Sequence, residues 1–258
     1  MQKINRLLIL LFCCCTAAVA QDTLTIRVMT YNLRFGERAS LEELGEHIKS
    51  FHPDFVALQE VDWCTHREGL TQQHDKDFMT VLAQRTKMHP LYGKTIEFAG
   101  GYYGIGILSN RPCIRSSKKM LCQPLGKEQR VLLQADYEVT PHDTLSFACT
   151  HLDYFSSATR LKQVAQVADY LKETPYPTLV AGDFNATPTS LPITKGMDKW
   201  YMLCDLAPTF PAWNPTEHID YIFGNPTSDW RLVRSQAVLS LLSDHLPVVS
   251  DILLIRKK

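Results

Sequence analysis

Five apolar runs of strand length in this sequence finish on side chains with chemistry to offer. That recurrence limits the chain to folds in which strand ends gather in one place. Residues 23–30 alternate apolar and polar, with Leu24, Ile26 and Val28 on one side, and finish at Tyr31-Asn32. Residues 55–58 finish at Gln59-Glu60, residues 144–150 at His151, and residues 178–181 at Gly182-Asp183-Phe184-Asn185. Residues 237–242 lead into Ser243-Asp244-His245-Leu246-Pro247, which reads as a buried strand ending in a carboxylate beside an imidazole. A sixth group, Asp220, opens a strand over 219–223 instead. Alternation marks a strand with one buried face, and short unbroken apolar runs mark strands buried on both. A polar group ending such a strand sits at the rim of a sheet.

Helices separate these strands. Ser40-Leu41-Glu42-Glu43 is a capping box, in which the Ser40 hydroxyl and the Glu43 carboxylate satisfy free amides at a helix start. Leu41, Leu44, Ile48 and Phe51 then recur at helical spacing until His52-Pro53-Asp54 stops the helix. A second helix is predicted over about 75–87, and the longest over 157–173, with Leu161, Val164, Ala165, Ala168 and Leu171 in one stripe. Residues 97–109 read as a pair of strands, 131–139 and 230–233 as single strands, and 186–215 as loop around a short helix. Strand, polar tip, helix, strand, carboxylate tip occurs over 24–60 and again over 144–185. Two such halves, each covering one sheet face with its own helices, pack sheet against sheet as a helix–sheet–sheet–helix sandwich.

The 258 residues contain no Gly/Ser-rich linker, so a single domain over 21–258 is expected. The start of the chain differs from the rest. Lys3 and Arg6 precede a 14-residue apolar run from Leu7 to Ala20, ending Ala18-Val19-Ala20. That is the pattern of an export signal, and the run is too short to span a bilayer. The expected location is therefore periplasmic or secreted. The residues before Cys13, Cys14 and Cys15 are bulky or cysteine, which ranks a lipid-anchored form second. Removing 1–20 takes two of the 27 basic side chains and none of the 27 acidic ones, leaving a net charge of −2. No electrostatic footprint for avid nucleic-acid binding remains. A nuclease is still compatible, because a bound metal would supply local positive charge. Cys64, Cys113, Cys122, Cys149 and Cys204 are left, an odd number. Cys149 reads as a buried thiol. Cys113 and Cys122 flank a short polar segment and are the pair that an oxidising compartment could join.

Glu60, Asp183, Asp220 and Asp244 are four carboxylates on such tips. Crowded carboxylates raise one another's pKa unless a cation neutralises them. Oxygen-only ligands suit Mg²⁺, with Mn²⁺ as the alternative, rather than Zn²⁺. Asn32 and Asn185 add amide oxygens without charge. His245 could take a proton from water if Asp220 fixes its tautomer, and His151 could donate to a phosphoryl oxygen. Arg130 is a candidate phosphate contact by its fork geometry, and Arg34 reads as either such a contact or a plain surface charge. Each residue also has a plainer reading. An aspartate at a strand end is ordinarily a turn or cap residue, Asp62 and Asp153 read as solvated, and His218 reads as surface or pocket alike. The conjunction of six tips is what singles the set out.

In order along the chain, several strings resemble the motifs of the endonuclease/exonuclease/phosphatase superfamily, whose fold is deoxyribonuclease-I-like. They are Thr30-Tyr31-Asn32-Leu33-Arg34, Leu58-Gln59-Glu60-Val61, Tyr103-Gly104-Ile105-Gly106-Ile107-Leu108-Ser109, Thr150-His151-Leu152, Gly182-Asp183-Phe184-Asn185, Ile219-Asp220-Tyr221-Ile222-Phe223 and Ser243-Asp244-His245-Leu246-Pro247. The resemblance implies an α/β fold, a four-layer α/β sandwich of two packed mixed β-sheets flanked by helices. It implies Mg²⁺-dependent phosphoester hydrolysis of the phosphodiesterase or nuclease type, with metal at Asn32, Glu60 and Asp244. It further implies phosphate or water positioning by Asp183 and Asn185, an Asp220–His245 acid–base pair with His245 as base, and transition-state stabilisation by His151. Glu217-His218-Ile219-Asp220 stands where the inositol phosphatases carry a Trp-Cys-Asp-Arg-like motif, and Asn32-Leu33-Arg34 lacks the second amide or acid of the repair endonucleases. Two strings, Asp220-Tyr221-Ile222-Phe223 and Ser243 to Val248, are similar to those of bacterial sphingomyelinases. No separate hydrophobic hairpin accompanies them. The chain most resembles small exported bacterial members. The expected substrate is a phosphoester: nucleic acid, phospholipid headgroup or small phosphodiester. A sphingomyelinase-like or other phosphatase activity is the alternative, and a catalytically silent phosphate-binding module the non-enzymatic one. The mature chain offers no membrane span and no obligate protein partner, so a monomer is expected.

Overall fold

The alternation in residues 23–30 becomes β1 (Thr23–Asn32), whose two faces serve different layers. Ile26 and Val28 enter one apolar cluster, and Met29 and Tyr31 enter another. The computed structural model describes residues 22–256, and the export signal expected over 1–20 lies outside the described residues. The first sheet contains β1, β2 (Phe55–Trp63), β3 (His89–Phe98), β4 (Gly101–Ser109), β11 (Asp229–Ala237) and β12 (Val248–Ile255). The second contains β5 (Arg115–Met120), β6 (Val131–Thr140), β7 (Asp143–His151), β8 (Thr178–Asp183), β9 (Tyr201–Met202) and β10 (Asp220–Gly224). Their orders are β11-β12-β1-β2-β4-β3 and β5-β6-β7-β8-β10-β9. Phe55 reaches across, stacking on Phe147 at 5.1 Å and meeting the edge of Tyr137 at 4.9 Å.

Helices cover the outer faces. α1 (Leu41–Ser50) and α2 (Phe78–Thr86) bury Leu41, Leu44, Ile48, Phe78 and Leu82 with Val56 and Leu58 of β2. The capping box is present: Ser40 Oγ accepts from the Glu43 amide, and the Glu43 carboxylate accepts from the Ser40 amide at 2.9 Å. α3 (Ser157–Lys172) lays Val164, Val167 and Leu171 on the second sheet's cluster, and α4 (Leu191–Thr194) adds Ile193. The fold is thus the four-layer sandwich that the motifs implied.

The internal repeat is real. β1 runs parallel to β2 across α1, which brings Asn32 beside Gln59. β7 runs parallel to β8 across α3, which brings His151 beside Asp183. Parallel neighbours must end at the same edge, so the repeat itself gathers the tips. Antiparallel β10 then starts where β8 stops, placing Asp220 opposite Asp183.

Three expectations need correction. Beyond Ala237, where β11 ends, residues 238–242 are no strand, and Asp244-His245 precede β12 from an irregular loop. Leu239 and Leu241 in that run are exposed, while Val238 and Leu242 pack partly against the outer apolar cluster. The strand pair expected over 97–109 begins earlier, with β3 starting at His89. β5 was not anticipated, because every residue of this basic edge strand is exposed and no alternation marks it. Cys149 is buried, burial pushes its thiol up to about 12, and Cys113 and Cys122 are both free.

Arg27 of β1 forks onto Asp251 of β12, Nε to Oδ1 at 2.6 Å and Nη2 to Oδ2 at 3.2 Å. Its Nη1 donates to the Phe51 carbonyl at 2.9 Å, tying α1 to the sheet. The Arg27 hydrogen bond holds the Asp251 carboxyl below its ordinary value. A depressed folded value contributes stability above the unfolded pKa and loses it as pH falls through the folded one. Asp251→Asn is expected to lower stability by about 1 kcal/mol at neutral pH. Urea titrations should show that deficit shrinking toward zero at a pH of about 2 to 3, below the carboxylate range.

Candidate active site

A cleft of about 680 Å³ opens where the tips meet, with Glu60, His151, Asp183, Asn185, Asp244 and His245 in its walls. Several of these side chains hang from unusual backbone. Arg34 (φ 47), Phe35 (φ 44), Glu60 (φ 56) and Asn185 (φ 49) are all left-handed. At Glu60 the β2–β4 register slips between Leu58 and Val61, and this bulge turns the carboxylate toward the cleft edge. Gly182 is required by proximity: a Cβ there would collide with the Thr150 carbonyl of β7. The close strand approach it permits sets the height of Asp183.

The innermost group is an ion triad. His245 Nδ1 meets Asp220 Oδ2 at 2.9 Å, and His245 Nε2 lies 3.8 Å from Asp183 Oδ2. Both carboxylates are 1% exposed and the imidazole 5%. Burial alone would lower the His245 pKa. The charge and hydrogen bond of Asp220, then Asp183 and Asp244, outweigh that and raise it. Burial and then Asp220 push the Asp183 carboxyl up, against the His245 charge, the Asn185 amide and Asn32. The ligand atoms of Asp183, Asp220 and His245 lie within 4.8 Å of one another. Nδ1 is already committed to Asp220, so this trio fits proton handling better than cation binding.

His151 is the second imidazole. Arg130 Nη1 donates to its Nδ1 at 3.0 Å. A guanidinium has no acceptor, so Nδ1 must be bare and a neutral ring carries its proton on Nε2. Nε2 lies 3.4 Å from Asp183 Oδ2. Burial, then Arg130 and His245, lower the His151 pKa strongly, so the ring is a neutral donor. Arg130 Nη1 is also 2.9 Å from Glu128 Oε1. Arg130 therefore lines the cleft as expected, while one of its nitrogens fixes a neighbour's tautomer.

Asn32, Glu60 and Asp244 form a third group offering only oxygen beside the triad. Asn32 Nδ2 donates to Glu60 Oε1 at 3.0 Å and to Asp183 Oδ2 at 3.1 Å, and its Oδ1 accepts from the Arg34 amide. Arg34 Nη1 lies 3.5 Å from Asp244 Oδ2. Burial raises the Glu60 pKa and Asp244 adds to it, while Asn32, His245 and Arg34 oppose. Glu60 and Asp244 converge beside buried Asp183 and Asp220, with Arg34 on Asp244, and among the described residues buried Asp220 Oδ1 has no hydrogen-bond partner. Clustered carboxylate oxygens with an orphaned acceptor beside them fit a hard divalent cation.

Some neighbours were not legible in the sequence. Thr209 Oγ1 donates to Asp220 Oδ2 at 2.6 Å from inside a Pro- and Thr-rich loop. Ser243 Oγ donates to the Asn32 carbonyl at 2.7 Å, joining the two ends of the motif series. The Phe210 ring lies 4.8 Å from His245. Other residues turn out to be structural. His218 is buried, with Nδ1 at 2.7 Å from the Ala207 carbonyl. Asp62 and Asp153 are buried rather than solvated: Asp62 takes a fork from Arg67, and Asp153 accepts the Phe155 and Ser156 amides before α3.

The model of the Endonuclease/Exonuclease/phosphatase family matches residues 29–245. The chain belongs to this family. Endonuclease/exonuclease/phosphatase proteins are phosphoester hydrolases, typically dependent on a divalent metal. The uncharacterized protein YbhP of Escherichia coli K12 is 27% identical over 247 residues, covering 88% of this chain and 96% of YbhP. A family structure from Beutenbergia cavernae superposes with a TM-score of 0.74 at 23% identity, over 89% of this chain and 72% of that one. The mannosyl-6-phosphatase Bt3783 of Bacteroides thetaiotaomicron gives 0.69 at 15% identity, over 88% and 99%. At such identities the structural likeness speaks for the fold.

Thr209 gives a direct test of the triad's support. Thr209→Val removes a donor to a buried carboxylate and should lower stability by about 1.5–3 kcal/mol. Thr209→Ser should restore most of it, both read from urea unfolding.

Proposed function

We propose that this protein is a Mg²⁺-dependent phosphoester hydrolase of the phosphodiesterase type. The observation that carries the reading is the Asp220–His245–Asp183 triad beside the oxygen-only group of Asn32, Glu60 and Asp244. Those three residues would hold the cation, which supplies charge neutralisation for the carboxylates and for a phosphoryl group. The chain's own groups account for the rest. Asp220 commits Nδ1 of His245, leaving Nε2 as the atom that handles protons. Once His245 has given up its Nε2 proton, a water lodged between Nε2 and Asp183 Oδ2 passes a proton to Nε2 as its oxygen bonds phosphorus, the ester P–O bond breaks, and the leaving oxygen takes up a proton. His151 offers its Nε2–H to a non-bridging oxygen. Asn185 is tied by its amide to Asp183 at 2.8 Å and by Nδ2 to the Leu152 carbonyl at 3.1 Å, leaving its side-chain oxygen to orient water or phosphate. Arg34 and Arg130, both in the cleft, supply the remaining positive charge for the phosphoryl oxygens.

The test is turnover of a generic phosphodiester, DNA, RNA, sphingomyelin and inositol phosphates with Mg²⁺, with Mn²⁺ and with EDTA. Chelation should abolish turnover. His245→Asn and Asp183→Asn should each reduce kcat by about 10²–10⁴. Turnover that persists in EDTA, or that survives His245→Asn, would sink the mechanism. Binding of phosphoesters without turnover on any substrate would favour a silent phosphate-binding module.

A further inference from the structure

The large apolar side chains exposed on this protein are unevenly placed. Leu125, Tyr154, Phe155, Trp213, Leu239 and Leu241 are all more than half exposed, and all stand on loops at the cleft end. Chain connectivity and contacts fix that placement. Leu125 lies in the β5–β6 loop that ends at Arg130, and Tyr154 and Phe155 follow His151 directly. The amide of Ala212, before Trp213, donates to the Asp244 carbonyl at 2.7 Å. Leu239 (84% exposed) and Leu241 (64%) stand in the loop running into Asp244. Away from that end, among the described residues, the exposed large apolar side chains are Ile114, Val233 midway along β11 and, at 40%, Tyr201.

Cations accompany the ring. Arg38 Cζ lies 4.7 Å over the Trp213 ring, and Lys127 Nζ lies 3.9 Å over the Phe155 ring. Arg34 and Arg160 continue the positive charge into the cleft. We infer that this end of the sandwich docks on an anionic phospholipid bilayer and presents its cleft to phosphoesters held in that surface. Aromatic and leucine side chains at loop tips enter the boundary between headgroups and acyl chains, while cations beside them meet lipid phosphates. The alternatives fit less well. A single-stranded nucleic acid would use the faces of Tyr154, Phe155 and Trp213 but leave Leu125, Leu239 and Leu241, which stack no base, exposed to water. A protein partner would find separate loop tips around an open hollow rather than one continuous patch. That the lipid phosphoester is cleaved rests on the hydrolase reading above, whereas docking does not.

Co-sedimentation with vesicles tests it. Phosphatidylcholine vesicles containing phosphatidylglycerol are expected to carry the full chain into the pellet, and pure phosphatidylcholine vesicles less of it. Leu239→Asp/Leu241→Asp and, separately, Phe155→Ser should weaken partitioning about tenfold or more each. An unchanged thermal midpoint and near-ultraviolet circular dichroism would show that each variant is folded. Wild-type protein that stays in the supernatant with anionic vesicles would overturn the inference. So would folded variants that sediment like wild type, or retention by a single-stranded oligonucleotide in place of vesicles. Intact vesicle binding without hydrolysis of the lipid would uphold docking and count against the hydrolase reading instead.

Discussion

Two buried carboxylates, Asp183 and Asp220, face each other across the antiparallel pairing of β8 and β10. Like charges so placed repel strongly in a medium that screens poorly. The rest of the cleft follows from relieving that repulsion. His245 is inserted beside both, which requires an irregular approach to β12 rather than a strand. Thr209 must reach Asp220 from a loop, and Asn32 must reach Asp183 from the other sheet. The two sheets are therefore joined at this edge by polar contacts as well as by the apolar core. Separating them by even a small shift would leave charge buried and unpaired, the most destabilising outcome available to a folded chain.

The sequence exposed the parts of this arrangement that obey periodicity. The repeated strand–helix–strand units were legible because alternation, a capping box and proline stops are local signals. Parallel pairing then followed from connectivity, and with it the convergence of Asn32, His151 and Asp183. What escaped notice had no local signal. Residues 237–242 are as apolar as a strand, yet Leu239 and Leu241 face outward, and composition alone does not distinguish a core strand from an exposed loop. β5 pairs through its backbone while showing polar side chains at every position but Met120. Thr209 looks like any threonine in a loop, since its importance comes from a partner 11 residues away that folding brings to 2.6 Å.

The imidazoles illustrate how neighbours divide labour between identical side chains. His245 touches carboxylates and holds positive charge; His151 touches a guanidinium and is held neutral. They share Asp183 as a common neighbour, at 3.8 and 3.4 Å. A cation and a neutral donor aimed at one place make a pocket shaped for an anion with several oxygens, whichever molecule carries it. The sequence suggested Asp220 as the partner of His245, but the contact of Arg130 with His151 Nδ1, which fixes that ring as a neutral donor, has no local signal.

The left-handed residues of the cleft carry a different implication. Glycine would relax Arg34, Phe35, Glu60 and Asn185, each of which holds a backbone conformation costing about 1 kcal/mol or more for a side-chain-bearing residue. Stability and chemistry thus pull in opposite directions at Arg34, Glu60 and Asn185. A fold-mate under selection for robustness alone would drift there toward glycine, and one still at work would not. The residue at those positions is a way to read, from sequence, whether a copy of this fold has retired.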